Sequence, residues 1–226
     1  MALVVLYEDN HVLIVNKPSG ILVQGDKTGD LPLVDSAKKY LKAKYKKPGN
    51  VFLGVVHRLD RPTSGVLIFA RTSKALRRLN EQFKTRKVNK TYWAIVEGKP
   101  AQEKGELKHW LVRNTQQNKS YAHKKEVPNS KHAVLEYSVL KQLDRYTLLS
   151  IDLHSGRHHQ IRAQLAALGH VIKGDLKYGA KRSNSNGSIH LHARTLSLVH
   201  PTTKKILQIN AAPPSDGLWN ICAAGC

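Results

Sequence analysis

Cysteine is nearly missing from this chain: two occur in 226 residues, Cys222 and Cys226, both at one end. Two thiols so placed make neither a disulfide framework nor a zinc site, which points to a reducing cytoplasm and to no role for the pair. No run of about eighteen apolar residues occurs, so a membrane-crossing helix is excluded. The opening MALVVLYEDNHVLIV lacks the basic start and small-residue cleavage site of a signal peptide, and it reads as two short strands. Acidic residues are scarce: 16 stand against 37 basic ones, a formal net charge of +21. Such an excess is self-repelling, and the partner that offsets it is a polyanion, so a nucleic acid is expected. The basic residues are spread along the chain and not gathered on one amphipathic helix, which disfavours a membrane surface.

What is present is a globular composition, 41% hydrophobic and 23% charged. Residues 3–7 and 11–15 read as strands around a turn, and Lys17-Pro18-Ser19-Gly20 breaks the pattern. Residues 33–47 have helical spacing, with Leu33, Ala37 and Leu41 on one face. Residues 51–60 are apolar and strand-like, then a turn at 61–65 leads to a strand at 66–70. Thr72 or Ser73 caps a helix running to about residue 87, with Leu76, Leu79 and Phe83 at its apolar spacing. A strand at 91–97 precedes a long polar stretch, 113–132, which reads as a functional or disordered loop. Strands follow at 133–140 and 146–153, then a helix at 158–168 with Gly169 as its C-cap. The remainder is strand-like at 189–191, 195–199 and 205–211. The expected class is α+β, with a central, mostly antiparallel mixed sheet flanked by helices and loops. With no repeat and no linker, a single domain over 1–226 is expected.

The segment HRLDRPTSG at 57–65 is the best candidate for chemistry. Asp60 ends an apolar strand, with Arg58 and Arg61 on either side and a loop stiffened by Pro62. The flanking cations favour an ionised carboxylate, as a nucleophile or base requires. Unaided, the same pattern also fits a structural aspartate bridging arginines at a turn. Of the twelve histidines, His154, His158, His159, His190 and His192 are candidate metal ligands, but no carboxylate or cysteine completes a ligand spacing, so no metal is expected. His158, beside a helix start, is expected to meet phosphate or to cap the helix.

HRLDRPTSGVLIFA at 57–70 resembles the signature of the RluA family of pseudouridine synthases. VLIVNKPSG at 12–20, KTYWAIVEG at 90–98, SGRHHQIRAQLAALGHVIKGDLKYG at 155–179 and IHLHARTLSLVHP at 189–201 resemble further family stretches, in the family's order. The resemblance covers roughly residues 7–211, and several ordered motifs are far more specific than one. It implies isomerisation of uridines in ribosomal or transfer RNA without a cofactor; a monomer with no obligate protein partner is expected. Asp60 would be catalytic, attacking the anomeric carbon or removing a ribose proton. Tyr92 would stack on the flipped uracil, Leu191 would line the pocket, and Arg162 would pair with the catalytic aspartate. Arg58 and Arg61 would contact substrate, and Lys124, Lys125 and His158 would contact RNA.

Without the resemblance, Arg162 reads as an edge residue of an amphipathic helix and Tyr92 as core or sheet surface. Gln24 and His158 stand where the family pattern has His and Thr. The motifs begin so early that the helical N-terminal RNA-binding module of many relatives is expected to be absent. Two rivals remain: a non-catalytic RNA-binding protein, for which a carboxylate facing a polyanion has no use, and a glycoside or nucleoside hydrolase, which calls for a second catalytic carboxylate.

Overall fold

The structure, a computed structural model, describes residues 3–26 and 29–225. In chain order it runs β1 (Val4–Glu8), β2 (Val12–Lys17), α1 (Leu33–Lys44), β3 (Gly54–Val55), β4 (Ser64–Ala70), α2 (Ser73–Lys84) and β5 (Asn89–Glu97). There follow β6 (Lys104–Asn114), β7 (Lys119–His123), β8 (Lys131–Gln142), β9 (Tyr146–Leu153), α3 (Gln160–Ala167), β10 (Leu191–Val199), β11 (Ile206–Asn210) and α4 (Gly217–Ala223). The class is α+β. Contacts divide the chain into two compact units, Met1–Asn89 with Ala193–Ala212, and Lys90–His192 with Pro213–Cys226.

In the first unit, β2 and β4 are apolar along almost their whole length because both of their faces are covered. They pair antiparallel from Val12↔Ala70 to Lys17↔Gly65, and β1 pairs antiparallel with β2. The tight β1–β2 turn is held by Asp9, whose Oδ1 accepts from the His11 and Val12 amides at 2.7 and 2.8 Å. β10 pairs antiparallel with β11. α1 buries Leu33, Val34, Ala37 and Leu41 and turns its lysines outward. α2 starts where Thr72 accepts from the Ala75 amide at 3.1 Å, and its Ala75 and Leu79 enter a core with Val12, Ile14, Val66 and Ile68.

The second unit is an antiparallel ladder in the order β5-β9-β8-β6-β7. Along β5 the side chains alternate, and Trp93 and Ile95 pack with Leu148, Trp219 and Cys222, so α4 covers one face. Cys222 is buried there; Cys226 lies outside the described residues. Ala163 of α3 packs with Leu111, Ala133 and Tyr178.

Several expectations are corrected. The polar stretch 113–132 is no long loop: β6 runs to Asn114, β7 spans Lys119–His123, and β8 starts at Lys131. These strands leave much of their surface in solvent, so polar side chains mask the strand pattern. The strand expected at 51–60 shrinks to Gly54–Val55. α3 starts at Gln160, two residues late, because His159 sits in the left-handed region at φ 52°. The helix expected over 33–47 ends at Lys44, and Lys46 is left-handed at φ 48°. α4, for which the sequence reading assigned no element, is capped by Asp216, whose Oδ1 accepts from the Leu218 and Trp219 amides.

Candidate active site

Asp60 lies in a loop of the first unit whose backbone is fastened from several sides. The Thr63 amide donates to the Asp60 carbonyl at 3.0 Å, closing a turn, and the Gly20 amide donates to the Arg61 carbonyl at 2.8 Å. Lys17, at the end of β2, is fully buried. Its Nζ donates to the carbonyls of Pro18 at 2.9 Å, Arg61 at 3.2 Å and Thr63 at 2.7 Å. Three N–H donors thus meet three carbonyls, two of them in the Asp60 loop. Burial pushes the Lys17 amine down to about 7; the Asp60 charge opposes that shift and Arg61 adds to it.

The loop leaves through Gly65, whose φ is +121°. A Cβ there would stand 2.3 Å from the Ala193 carbonyl oxygen, so β4 and β10 approach too closely for any side chain. On the entry side His57 stacks on Phe83, with centroids 4.8 Å apart, and its Nε2 accepts from the Ile68 amide at 3.3 Å. The motif therefore has a buried frame (Leu59, Thr63, Ser64), a partly buried Asp60, and exposed Arg58 and Arg61. The Arg61 guanidinium reaches Asp30 at 2.9 Å, and its Nε donates to the Gly20 carbonyl at 3.0 Å. It braces the loop against the segment after β2. Lys17 is a buried amine whose charge interacts with that of Asp60, and sequence reasoning missed it; the signal was a lysine closing the apolar run VLIVN.

In the second unit Arg162 is buried, not an edge residue. Its Nε donates to Asp175 Oδ2 at 2.7 Å and its Nη2 to Oδ1 at 2.8 Å, a two-point pair with both side chains buried. Its Nη1 lies 3.0 Å from His159 Nε2, and its guanidinium sits 5.1 Å from the Tyr178 ring centroid. Because Arg162 only donates, His159 Nε2 must accept, which leaves the proton on Nδ1, 3.1 Å from the Tyr178 hydroxyl. That hydroxyl also accepts from the Ser120 amide at 2.9 Å and donates to the Ser120 carbonyl at 3.1 Å. His159 sits in the left-handed region just before α3, and its ring meets Arg162 of that helix. Asp175, Tyr178 and His159 were not singled out from sequence for this role. The GDLKYG spacing, which puts Asp175 and Tyr178 on one short turn, was the available signal.

Tyr92 is buried in β5 opposite Ile151, on the face away from Trp93. Leu191 is buried at the start of β10. Lys124 and Lys125 are exposed just after β7. His158 is half-buried, with Nδ1 2.9 Å from Ser120 Oγ, Nε2 3.1 Å from Asn118 Oδ1, and its ring stacked 3.8 Å from His159. It ties the β6–β7 turn to the start of α3. Among the described residues no group of three or more His, Cys, Asp or Glu is placed to hold a metal ion. No described helix is long and apolar enough to cross a membrane.

The family profile described as RNA pseudouridylate synthase matches residues 11–167, which include Lys17, Asp60, Tyr92 and Arg162. The chain is 36% identical over 215 residues to ribosomal large subunit pseudouridine synthase C of Buchnera aphidicola, covering 92% of this chain and 66% of that protein. It is 34% identical over 222 residues to the uncharacterized RNA pseudouridine synthase YhcT of Bacillus subtilis, covering 96% and 70%. Among solved structures, human RNA pseudouridylate synthase domain containing 4 superposes with a TM-score of 0.80 at 26% identity, over 96% of this chain and 91% of that one. The chain thus belongs to the RNA pseudouridylate synthase family. It spans about two thirds of the length of the curated relatives it matches, 66% and 70% for those two.

Proposed function

We propose that this chain isomerises uridine to pseudouridine in RNA, with ribosomal RNA as the substrate, and with Asp60 acting on the ribose of a uridine flipped out of its stack. The observation that carries the reading is the family match over 11–167, joined to a carboxylate in a loop that Lys17 fastens by two hydrogen bonds, to the Arg61 and Thr63 carbonyls. The choice of ribosomal over transfer RNA rests on relatives named for the ribosomal large subunit.

The reaction breaks the bond from ribose C1′ to uracil N1 and forms one from C1′ to C5. The proton on C5 leaves and N1 gains one, so no redox partner enters the balance. Asp60 either attacks C1′ or takes a ribose proton to give a glycal. In both routes a fixed, ionised carboxylate is required, and a rigid loop supplies the placement. A normally stacked base must be extruded to be reached, and its detached uracil must be sheltered from water. The Tyr92 ring would stack on that base, Leu191 would line its pocket, and Arg162, with its geometry preset by Asp175 and His159, would pair with Asp60. Arg58 and Arg61 would meet the substrate's phosphates at the mouth of the loop, and Lys124, Lys125 and His158 would meet RNA beyond it. The two units would act as one catalytic domain, a cytoplasmic monomer.

The test is tritium release from RNA carrying uridine labelled at C5. Turnover by the wild type that disappears in Asp60→Asn is the expected result. A wild type without turnover on any ribosomal RNA would leave a binding protein as the better description.

A further inference from the structure

The lysines of α1 are not spread evenly around the helix. Leu33, Val34, Ala37 and Leu41 are buried, and Lys42 lies three and four residues from Lys39 and Lys38, so these three lysines share one flank of the helix. Their flank forms one wall of an open cavity of about 420 Å³, whose other wall is Gly49, Asn50 and Val51. A second open cavity, of about 520 Å³, continues along the same helix between Gly25, Asp35 and Leu53, and Lys38 lines both. In the chain Phe52 falls between Val51 of the first cavity and Leu53 of the second; it lines neither, and half of its surface is exposed.

The charges in this groove differ in how far they are occupied. Lys38 pairs with Asp35 at 3.2 Å, one helical turn away, in solvent. Lys39 and Lys42 meet no carboxylate among the described residues. Lys44, further along, is committed elsewhere: it reaches Glu8 at 2.9 Å, and the same carboxylate accepts from Tyr40 and Tyr45 and pairs with Arg71. Part of the cationic face of α1 is thus neutralised by its own protein. On the groove, Lys38 shares its charge with Asp35, and Lys39 and Lys42 are left for an outside partner.

Lysines without a carboxylate partner (Lys39 and Lys42) along a groove, with an exposed aromatic residue in the segment that forms its other wall, suit single-stranded nucleic acid: phosphates along the cations, a base on the ring. We propose that this groove of the first unit, lined by Lys38, Lys39 and Lys42, carries a single-stranded segment of the substrate RNA, with a base stacked on Phe52. The inference rests on RNA being the substrate, and it adds a contact surface separate from the Asp60 loop and from the lysines after β7. An extra strand-holding surface within the catalytic fold gives affinity that no base pairing at the target supplies.

The test uses a labelled oligouridine and fluorescence anisotropy between about 50 and 200 mM salt. Each phosphate contact of a single strand contributes about 0.7 to the slope of log affinity against log salt. Lys39→Ala with Lys42→Ala should therefore lower the slope by about 1.4. Phe52→Ala should weaken binding on the order of tenfold and leave the slope unchanged, since it removes a stack and no charge. The matched control is Lys99→Ala with Lys104→Ala, which removes the same charge from exposed positions elsewhere and should change the slope little. An unchanged slope in the α1 variant, or an equal fall in the control, overturns the groove while leaving the RNA reading intact. A wild type that binds the oligouridine without salt dependence overturns both.

Discussion

The Arg162 guanidinium is held in plane by the Asp175 carboxylate through two parallel bonds of 2.7 and 2.8 Å, and neither side chain reaches solvent. Removing Asp175 takes the two-point partner from a buried guanidinium, and breaking a buried ion pair costs roughly 3–5 kcal/mol. Asp175→Ala is expected to lose that much stability in urea unfolding. Asp175→Asn, which keeps a neutral acceptor for one N–H, is expected to lose less. A change below about 1 kcal/mol in Asp175→Ala would show that the pair is exchanged freely for water.

Lys17 gives the chain a pH signature. Burial holds its amine at about 7, far below the ordinary lysine range, so between pH 7 and 10 the unfolded chain binds a proton that the folded chain does not. The Lys17 contribution to stability therefore rises with pH across that window. Lys17→Met removes the titration and leaves three carbonyls without their donor. Urea midpoints taken from pH 7 to 10 should show the gap between wild type and Lys17→Met widening with pH. A gap that stays constant would mean that the amine titrates as an exposed lysine does.

The β2 and β4 runs, α1, the capped α2 and the β8–β9 pair were all legible from the chain, because buried strands and amphipathic helices write their periods plainly. The β6–β7 hairpin was not, since its strands face water and replace apolar alternation with Lys, Asn and Gln. In the candidate site, single positions were legible and partnerships were not. Asp60 and Arg162 stand out by motif, but Lys17 and Asp175 act across 43 and 13 positions of sequence, and only the folded chain brings Lys17 to the Asp60 loop and Asp175 to Arg162. His159 shows the cause most simply: its left-handed backbone and its contacts with Arg162 and Tyr178 exist only in the folded chain.

Tyr92 is tested by comparing Tyr92→Phe with Tyr92→Ala. The first keeps the ring and should leave RNA affinity nearly unchanged. The second should lose roughly 1–3 kcal/mol of RNA affinity if a base stacks there. Because the ring is buried, Tyr92→Ala should also lower stability, so unfolding is followed in parallel. Unchanged RNA affinity in Tyr92→Ala would assign the ring to the core.

Lys124 and Lys125, exposed after β7, should supply sequence-independent affinity. Replacing both by alanine should shallow the salt dependence of binding to a ribosomal RNA fragment by about 1.4 to 1.8 in log–log slope. A slope equal to that of the wild type would place both lysines off the RNA.

Asp60→Asn is nearly isosteric and keeps the turn that Lys17 fastens, yet it removes the charge that acts on the ribose. Tritium release from C5-labelled uridine in ribosomal RNA, run beside filter binding on the same RNA, tests that charge directly. The expected result is release at background with RNA affinity retained or slightly raised, because one anion near the phosphates is gone. Wild-type rates of release from Asp60→Asn would contradict the assignment of Asp60 as the catalytic group.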